Sequence, residues 1–209
     1  MKICALAVAS VAGLASAQNL AVNGDFETGD FTGWQTFPSG QGTPGPSSDF
    51  SVTNVNPFAG DFAGVITNND ENGGNPLIKQ ANLAEGTAQA GVGQFVEISF
   101  WARGSTANGG VVFAEFFEEI SGGGVARSEI LGGSPLAITD QWQQFTFTAD
   151  LLNDVSGGFT LQIAAITGAV PGSSSEVFID NVDIRLVPTP GAVGAMGLAG
   201  LVATRRRRG

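Results

Sequence analysis

Histidine and tyrosine are absent from all 209 residues, and the single cysteine, Cys4, lies in an apolar N-terminal stretch. Without these groups Ser/His/Asp and Cys/His nucleophilic centres, histidine-ligated metals and cysteine-ligated metals are excluded, and no disulfide can form within the chain. Positive charge is nearly as scarce. Between residues 18 and 187 only Lys79, Arg103, Arg127 and Arg185 are basic, against all nineteen acidic residues, a net charge of −15. Such a surface repels phosphate backbones, so nucleic acid is excluded as a partner, and it attracts divalent cations, with oxygen ligands favouring calcium. A glycosidase built on paired carboxylates survives only formally, through Glu115 with Glu118 or Glu119 with Glu129, since nothing in the surrounding sequence marks either pair. Glycine clusters are frequent, yet none has the strand-to-helix setting and the lysine of a phosphate loop.

What is present begins with two address segments. Lys2, an apolar run over 3–14 and Ala15-Ser16-Ala17 form a secretory signal peptide over 1–17, to be cut by signal peptidase after Ala17. At the other end, Pro188-Thr189-Pro190 precedes 14 uncharged residues (191–204) and then Arg205, Arg206, Arg207 and Arg208. A helix needs roughly 20 residues to cross a bilayer, so this stretch makes transient membrane contact, with the arginines held on the cytoplasmic side.

The order of proline motif, short apolar segment and terminal arginine cluster resembles the PEP-CTERM sorting signal. That resemblance implies processing by an exosortase-type protease near the proline motif and delivery to the cell surface or matrix. Here threonine stands where the family usually has glutamate. An uncut tail anchor is the other outcome.

The remaining 18–187 has the length of one domain. In FVEISFWAR (95–103) Val96, Ile98, Phe100 and Ala102 share one face, and Glu97, Ser99, Trp101 and Arg103 the other. Further strands are predicted over 50–55, 63–67, 77–82, 111–117, 128–131, 145–148, 159–166 and 177–186, separated by turn-rich stretches. No long period of 3.6 occurs, and no internal repeat. Many short strands at this spacing predict an all-β sandwich.

Residues 19–34 (NLAVNGDFETGDFTGW), the Phe100-Trp101-Ala102-Arg103 strand, the QWQQFTF segment from Gln141 and the closing VFIDNV from Val177 follow one another in an order that resembles galactose-binding-like jelly rolls, in particular family 4 and 9 carbohydrate-binding modules. The resemblance implies a jelly-roll β-sandwich with its opening motif on a first strand. It also implies a structural calcium held by the carboxylates of Glu27 and Asp180 and by main-chain carbonyls at Asp25 and near Phe62. Some relatives supply a further acidic ligand where this chain has Ala59.

The resemblance further implies polysaccharide as ligand, gripped by aromatic faces and hydroxyl-matching polar side chains. The candidates are Trp101 and Arg103, Phe116 or Phe117, Gln80 and Gln162; the aromatic platform that many relatives carry after the Asn-Pro of this loop is replaced by Leu77. Trp34 and Trp142 are expected in the core or at its rim. Two functions follow as alternatives: an exported, non-catalytic module that binds polysaccharide, or a matrix component acting through protein contacts. They differ in whether Trp101, Arg103 and Gln162 converge in one cleft.

Overall fold

The computed structural model describes residues 18–38, 48–86 and 90–187. The segments expected to be a signal peptide, with Ala17, and a sorting signal, with Pro188, Thr189, Pro190 and Arg205 to Arg208, lie outside the described residues. Among the described residues no helix is long and apolar enough to cross a membrane.

Among the described residues ten strands form two five-stranded antiparallel sheets. They are β1 (Gln35–Phe37), β2 (Ser48–Thr53), β3 (Ala63–Asn68), β4 (Leu77–Leu83), β5 (Phe95–Ala107), β6 (Val111–Glu119), β7 (Val125–Ile130), β8 (Gln143–Asp150), β9 (Phe159–Ile166) and β10 (Ser174–Val187). The first sheet has the order β1-β4-β9-β6-β7 and the second β2-β3-β10-β5-β8, so every internal strand has a neighbour far from it in sequence. Nine of the ten strands overlap stretches predicted from alternation. The exception, β1, is three exposed residues without an apolar member on an inner face, and carries no periodic signal.

Alternation works because each sheet buries one face against the other. Val96, Ile98, Phe100 and Ala102 of β5 are fully buried and meet Val112, Ala114 and Phe116 of β6, with Phe159, Leu161 and Ile163 of β9, in one core. Burying a large apolar side chain contributes about 1.5–3 kcal/mol, and this core holds many.

Residues 19–34 do not form the first strand that the family resemblance implies. They fold as a succession of turns, with Asn23 and Phe26 at positive φ (49° and 57°). Main-chain bonds from Leu20 N–H to the Ile184 carbonyl (2.7 Å) and from Val182 N–H to the Gly24 carbonyl (2.8 Å) fasten the segment to β10. Its turns drive Phe26 into the sandwich, stacked on Trp34 with ring centroids 5.6 Å apart. Trp34 is a core residue, 7% exposed. Glycine is required opposite: a Cβ at Gly64 of β3 would lie 2.6 Å from the Phe26 ring.

The last strand changes phase once. Asp180 pairs with Trp101, but Asp183 pairs with Ser99, so β10 carries one extra residue, at which Asn181 takes φ 48°. Val177 and Ile179 point inward before this bulge and Val182 and Ile184 after it. A bulge re-aims side chains, and here it leaves Asp180 and Asp183 both on the outer side of the second sheet.

Candidate functional site

Three places on the sandwich bring chemistry-bearing side chains together. On the outer face of the first sheet, register aligns Gln35, Lys79, Gln162, Glu115 and Ile130 across all five strands. Gln162 donates from Nε2 to Glu115 Oε2 at 2.6 Å, and Thr160 Oγ1 donates to Glu119 at 2.7 Å. One register step away lie Phe37, Leu77, Ala164 and Phe113, and on the other side Thr160, Phe117 and Ser128. Phe113 and Phe117 are half-buried, Phe37 is exposed, and Lys79 Nζ stands 4.9 Å from the centre of the Phe37 ring. Ala164 and Thr160 point the same way but are buried, their short side chains sunk between longer neighbours. The face therefore offers aromatic surface beside fixed donors and acceptors. Of the two candidate phenylalanines on β6, Phe117 is on it, whereas Phe116 is 1% exposed in the core.

Gln80 is not available there, which corrects its assignment as a ligand residue. It is 3% exposed, accepts the Val22 N–H at 2.9 Å and donates to the Val22 carbonyl at 2.6 Å, so its amide is spent holding the N-terminal turns.

The second place is on the opposite side of the molecule. Trp101 and Arg103 do lie on the strand face away from the core, as alternation predicts, but β5 belongs to the second sheet, so they do not converge with Gln162 and Phe117; the single cleft expected of a polysaccharide-binding module is not formed by these residues, and a glycan site has to be built on one face alone. Trp101 stacks on Phe58 with centroids 3.8 Å apart and planes 12° from parallel. The Arg103 guanidinium sits 3.7 Å above the Phe178 ring and 5.2 Å from that of Trp142, and donates to the Val55 carbonyl at 3.4 Å. Trp142 is at the rim and donates to the Asn56 carbonyl at 3.1 Å. Arg103 is thus engaged with this aromatic cluster. Trp101 also walls a pocket of about 400 Å³ with Ser99, Gln144, Asp183 and the turns at Asn23 and Asp25.

The third place adjoins the second. The loop carrying residues 58–62 is gripped by two carboxylates, one from the start of the chain and one from its end. Asp180 accepts the N–H groups of Phe58 (2.9 Å), Ala59 (3.0 Å) and Asn181 (2.7 Å), and Glu27 Oε1 accepts those of Asp61 (2.9 Å) and Phe62 (3.0 Å). Gly60 between them must be glycine, since its φ is 62° and a Cβ would lie 2.2 Å from Glu27 Oε1. Asp180 is fully buried. Burial pushes its carboxyl above the usual range, the amides of Ala59, Asn181 and Phe58 pull it back, and the charge of Glu27 adds to the rise. Neither carboxylate belongs to an ion pair among the described residues.

Hard oxygen donors with uncompensated negative charge suit calcium. Among the described residues no three acidic, histidine or cysteine side chains cluster to hold a metal, so a cation here would depend on Glu27 and Asp180 with main-chain carbonyls for the rest. The amides that already occupy Glu27 Oε1 and both Asp180 oxygens leave Glu27 Oε2 as the least committed oxygen of the pair.

The two carboxylate pairs considered for glycoside cleavage do not share a space. Glu115 points outward from β6 while Glu118 points inward and bonds Arg127 at 3.0 Å; Glu119 points outward while Glu129 is the second partner of Arg127.

No protein-family model and no curated protein matches the chain. Solved structures do. The enzymatically active domain of tailspike protein 4 of bacteriophage CBA120 is similar with a TM-score of 0.59 and 13% identity, over 81% of this chain but 21% of that one. The CBM22-1 xylan-binding domain of Paenibacillus barcinonensis Xyn10C matches with a TM-score of 0.56 and 15% identity, over 83% of this chain and 97% of that one. TmCBM61, solved with β-1,4-galactotriose, matches with a TM-score of 0.50 and 17% identity, over 82% of this chain and its own full length. The chain spans about a fifth of the tailspike chain and essentially all of the two small modules. At these identities the likeness is one of fold: the described residues form a jelly-roll β-sandwich of the kind found in carbohydrate-binding modules.

Proposed function

We propose that the protein is an exported, non-catalytic polysaccharide-binding domain whose primary binding surface is the outer face of the first sheet. The observation that carries this is the cross-strand row Lys79, Gln162 and Glu115 flanked by Phe37, Phe113 and Phe117. Sugars present apolar C–H faces and paired hydroxyls, which phenyl rings and a fixed amide-carboxylate pair complement. Two similarly folded modules, one described as xylan-binding and one solved with β-1,4-galactotriose, support polysaccharide as the ligand class. Glu115 and Glu119 serve as acceptors already tied to Gln162 and Thr160, which suits binding rather than proton transfer.

Export rests on the N-terminal leader, and surface or matrix delivery on the C-terminal sorting segment. Calcium at Glu27 and Asp180 would staple the beginning of the domain to its end and act as a structural ion. Binding of the full chain to xylan and to β-1,4-galactan by affinity electrophoresis tests the central reading. Replacing Gln162 with Ala, together with Phe117→Ala, is expected to weaken retention roughly tenfold, from the loss of one hydrogen bond and one stacking surface. Unchanged retention would remove this face as the site.

A further inference from the structure

The outer face of the second sheet carries a groove that the proposed site does not use. The pocket beside Trp101 (about 400 Å³) continues into another of about 340 Å³, and the two share Ser99, Gln144 and Asp183 as walls. The second pocket extends over Glu97, Thr146, Thr148 and Arg185. From Glu97 to Trp101 along β5 the groove runs about 13 Å at the ordinary rise of a strand, and each pocket alone reaches the lower range of ligand sites, about 300–1,000 Å³.

Its chemistry is selective. The side chains of Ser99, Gln144, Thr146 and Thr148 have no hydrogen-bond partner among the described residues, and they line the groove in register, Ser99 opposite Thr146 and Trp101 opposite Gln144. They are neutral donors and acceptors, exposed at Gln144, Thr146 and Thr148 and half-buried at Ser99. Trp101 forms the aromatic wall at one end, held in place by its stack on Phe58. Asp183 is tied to Arg185 by two bonds of 2.6 Å, which leaves the guanidinium further donors toward the groove. Against that one cation stand Asp25, Glu97 and Asp183. An acidic polymer is therefore repelled, and a cation alone would not use the tryptophan, glutamine and hydroxyl lining.

We infer that this groove is a second polysaccharide site, specific for neutral glycan chains, on the side of the sandwich opposite the first. The inference rests on the reading of the domain as polysaccharide-binding. With a strand on each face, one domain joins two glycan chains, a use that suits delivery to a polymer matrix better than single-sided capture would.

The test uses the full chain in three forms: unaltered, with Gln144→Ala and Thr146→Ala, and with Gln162→Ala and Phe117→Ala. Gln144 and Thr146 are exposed edge-strand residues, so that substitution preserves the fold, checked by an unchanged thermal midpoint. Binding to xylan, β-1,4-galactan and acidic polygalacturonate is followed by affinity electrophoresis, and cross-linking of the soluble neutral polymers by light scattering. The unaltered protein is expected to retain neutral polymers over polygalacturonate and to raise their scattering. Each paired variant is expected to lose the scattering rise while keeping part of the retention, with the Gln144/Thr146 pair weakened roughly tenfold for two lost hydrogen bonds. If the Gln144/Thr146 variant binds and cross-links like the unaltered protein, the groove is overturned and the first face stands or falls on its own variant. If retention falls with Gln144/Thr146 but not with Gln162/Phe117, the groove is supported and the first face is overturned. Preference for polygalacturonate, or no retention of any polymer, would overturn the groove.

Discussion

Two carboxylates in this molecule have the same occupation and opposite company. Glu118, fully buried at the end of β6, accepts the N–H groups of Leu152 (3.1 Å) and Asn153 (2.6 Å) and so fixes the loop after β8. Asp180, fully buried on β10, accepts the N–H groups of Phe58 and Ala59 and so fixes the loop before β3. Glu118 has Arg127 at 3.0 Å, which also bonds the Asp150 carbonyl at 3.0 Å and Glu129. Asp180 has no cation among the described residues, and its charged neighbour is Glu27. Buried charge needs compensation. One end of the sandwich carries its compensation in the sequence, whereas the other has only backbone amides among the described residues.

The comparison breaks most severely at Arg127. Replacing it with Ala leaves Glu118 charged and buried with only two amides, and a destabilisation of about 3 kcal/mol is expected, read from urea unfolding of the full chain. Glu118→Gln removes the charge but keeps only one of the two acceptor oxygens, so one of the Leu152 and Asn153 N–H groups would face an amide NH2, and it should cost about 2 kcal/mol. Equal losses for the two variants would show that Arg127 acts through packing and not as a counter-ion.

The Asp180 end is sharpened by calcium. If the ion binds Glu27 and Asp180, calcium at about a hundred times its dissociation constant should add about 2.7 kcal/mol to the unfolding free energy, and chelator should remove it. A thermal midpoint that is the same in calcium and in chelator would leave the two carboxylates as loop anchors only.

A smaller effect is expected in the pH profile. Because the folded Asp180 carboxyl lies above its ordinary 3.8, the folded state holds the proton more tightly than the unfolded chain. Its contribution to stability is then fully present below pH 3.8 and is lost as pH rises through the folded value. In chelator, the stability difference between the unaltered protein and Asp180→Asn should therefore shift against the unaltered protein as pH rises from that region toward neutrality. A bound calcium would favour the ionised form and reverse the slope. A flat difference in both conditions would mean that burial and the three amides cancel.

The strands were legible because a sheet that buries one face imposes a period of two, and β5, β6 and β9 carry it plainly. Alternation also placed Trp101 and Arg103 on the face away from the core. It could not say which sheet that face belonged to: β5 pairs with β8 and β10, and Gln162 on β9 pairs with β4 and β6, so residues expected in one cleft ended on opposite sides. Gln80 shares the inner face of β4 with Ile78, and its amide is taken up by Val22, 58 residues away. The groove along Ser99, Gln144 and Thr146 had no linear signature, because its walls come from three strands and the N-terminal turns.

By itself the sequence determined the chemistry that is excluded, through the absent histidine and tyrosine and the lone Cys4, and it determined an all-β chain with acidic surfaces and strand faces of known polarity. Both follow from composition and from a local period, which need no knowledge of partners. The tertiary structure alone decided the pairing order of ten strands, the bulge at Asn181 that re-aims Asp180 and Asp183, the loop that covers Asp180, and the division of the candidate residues between two outer faces. Those depend on contacts between residues far apart in the chain, and a period of two is satisfied equally well by many ways of arranging the same strands.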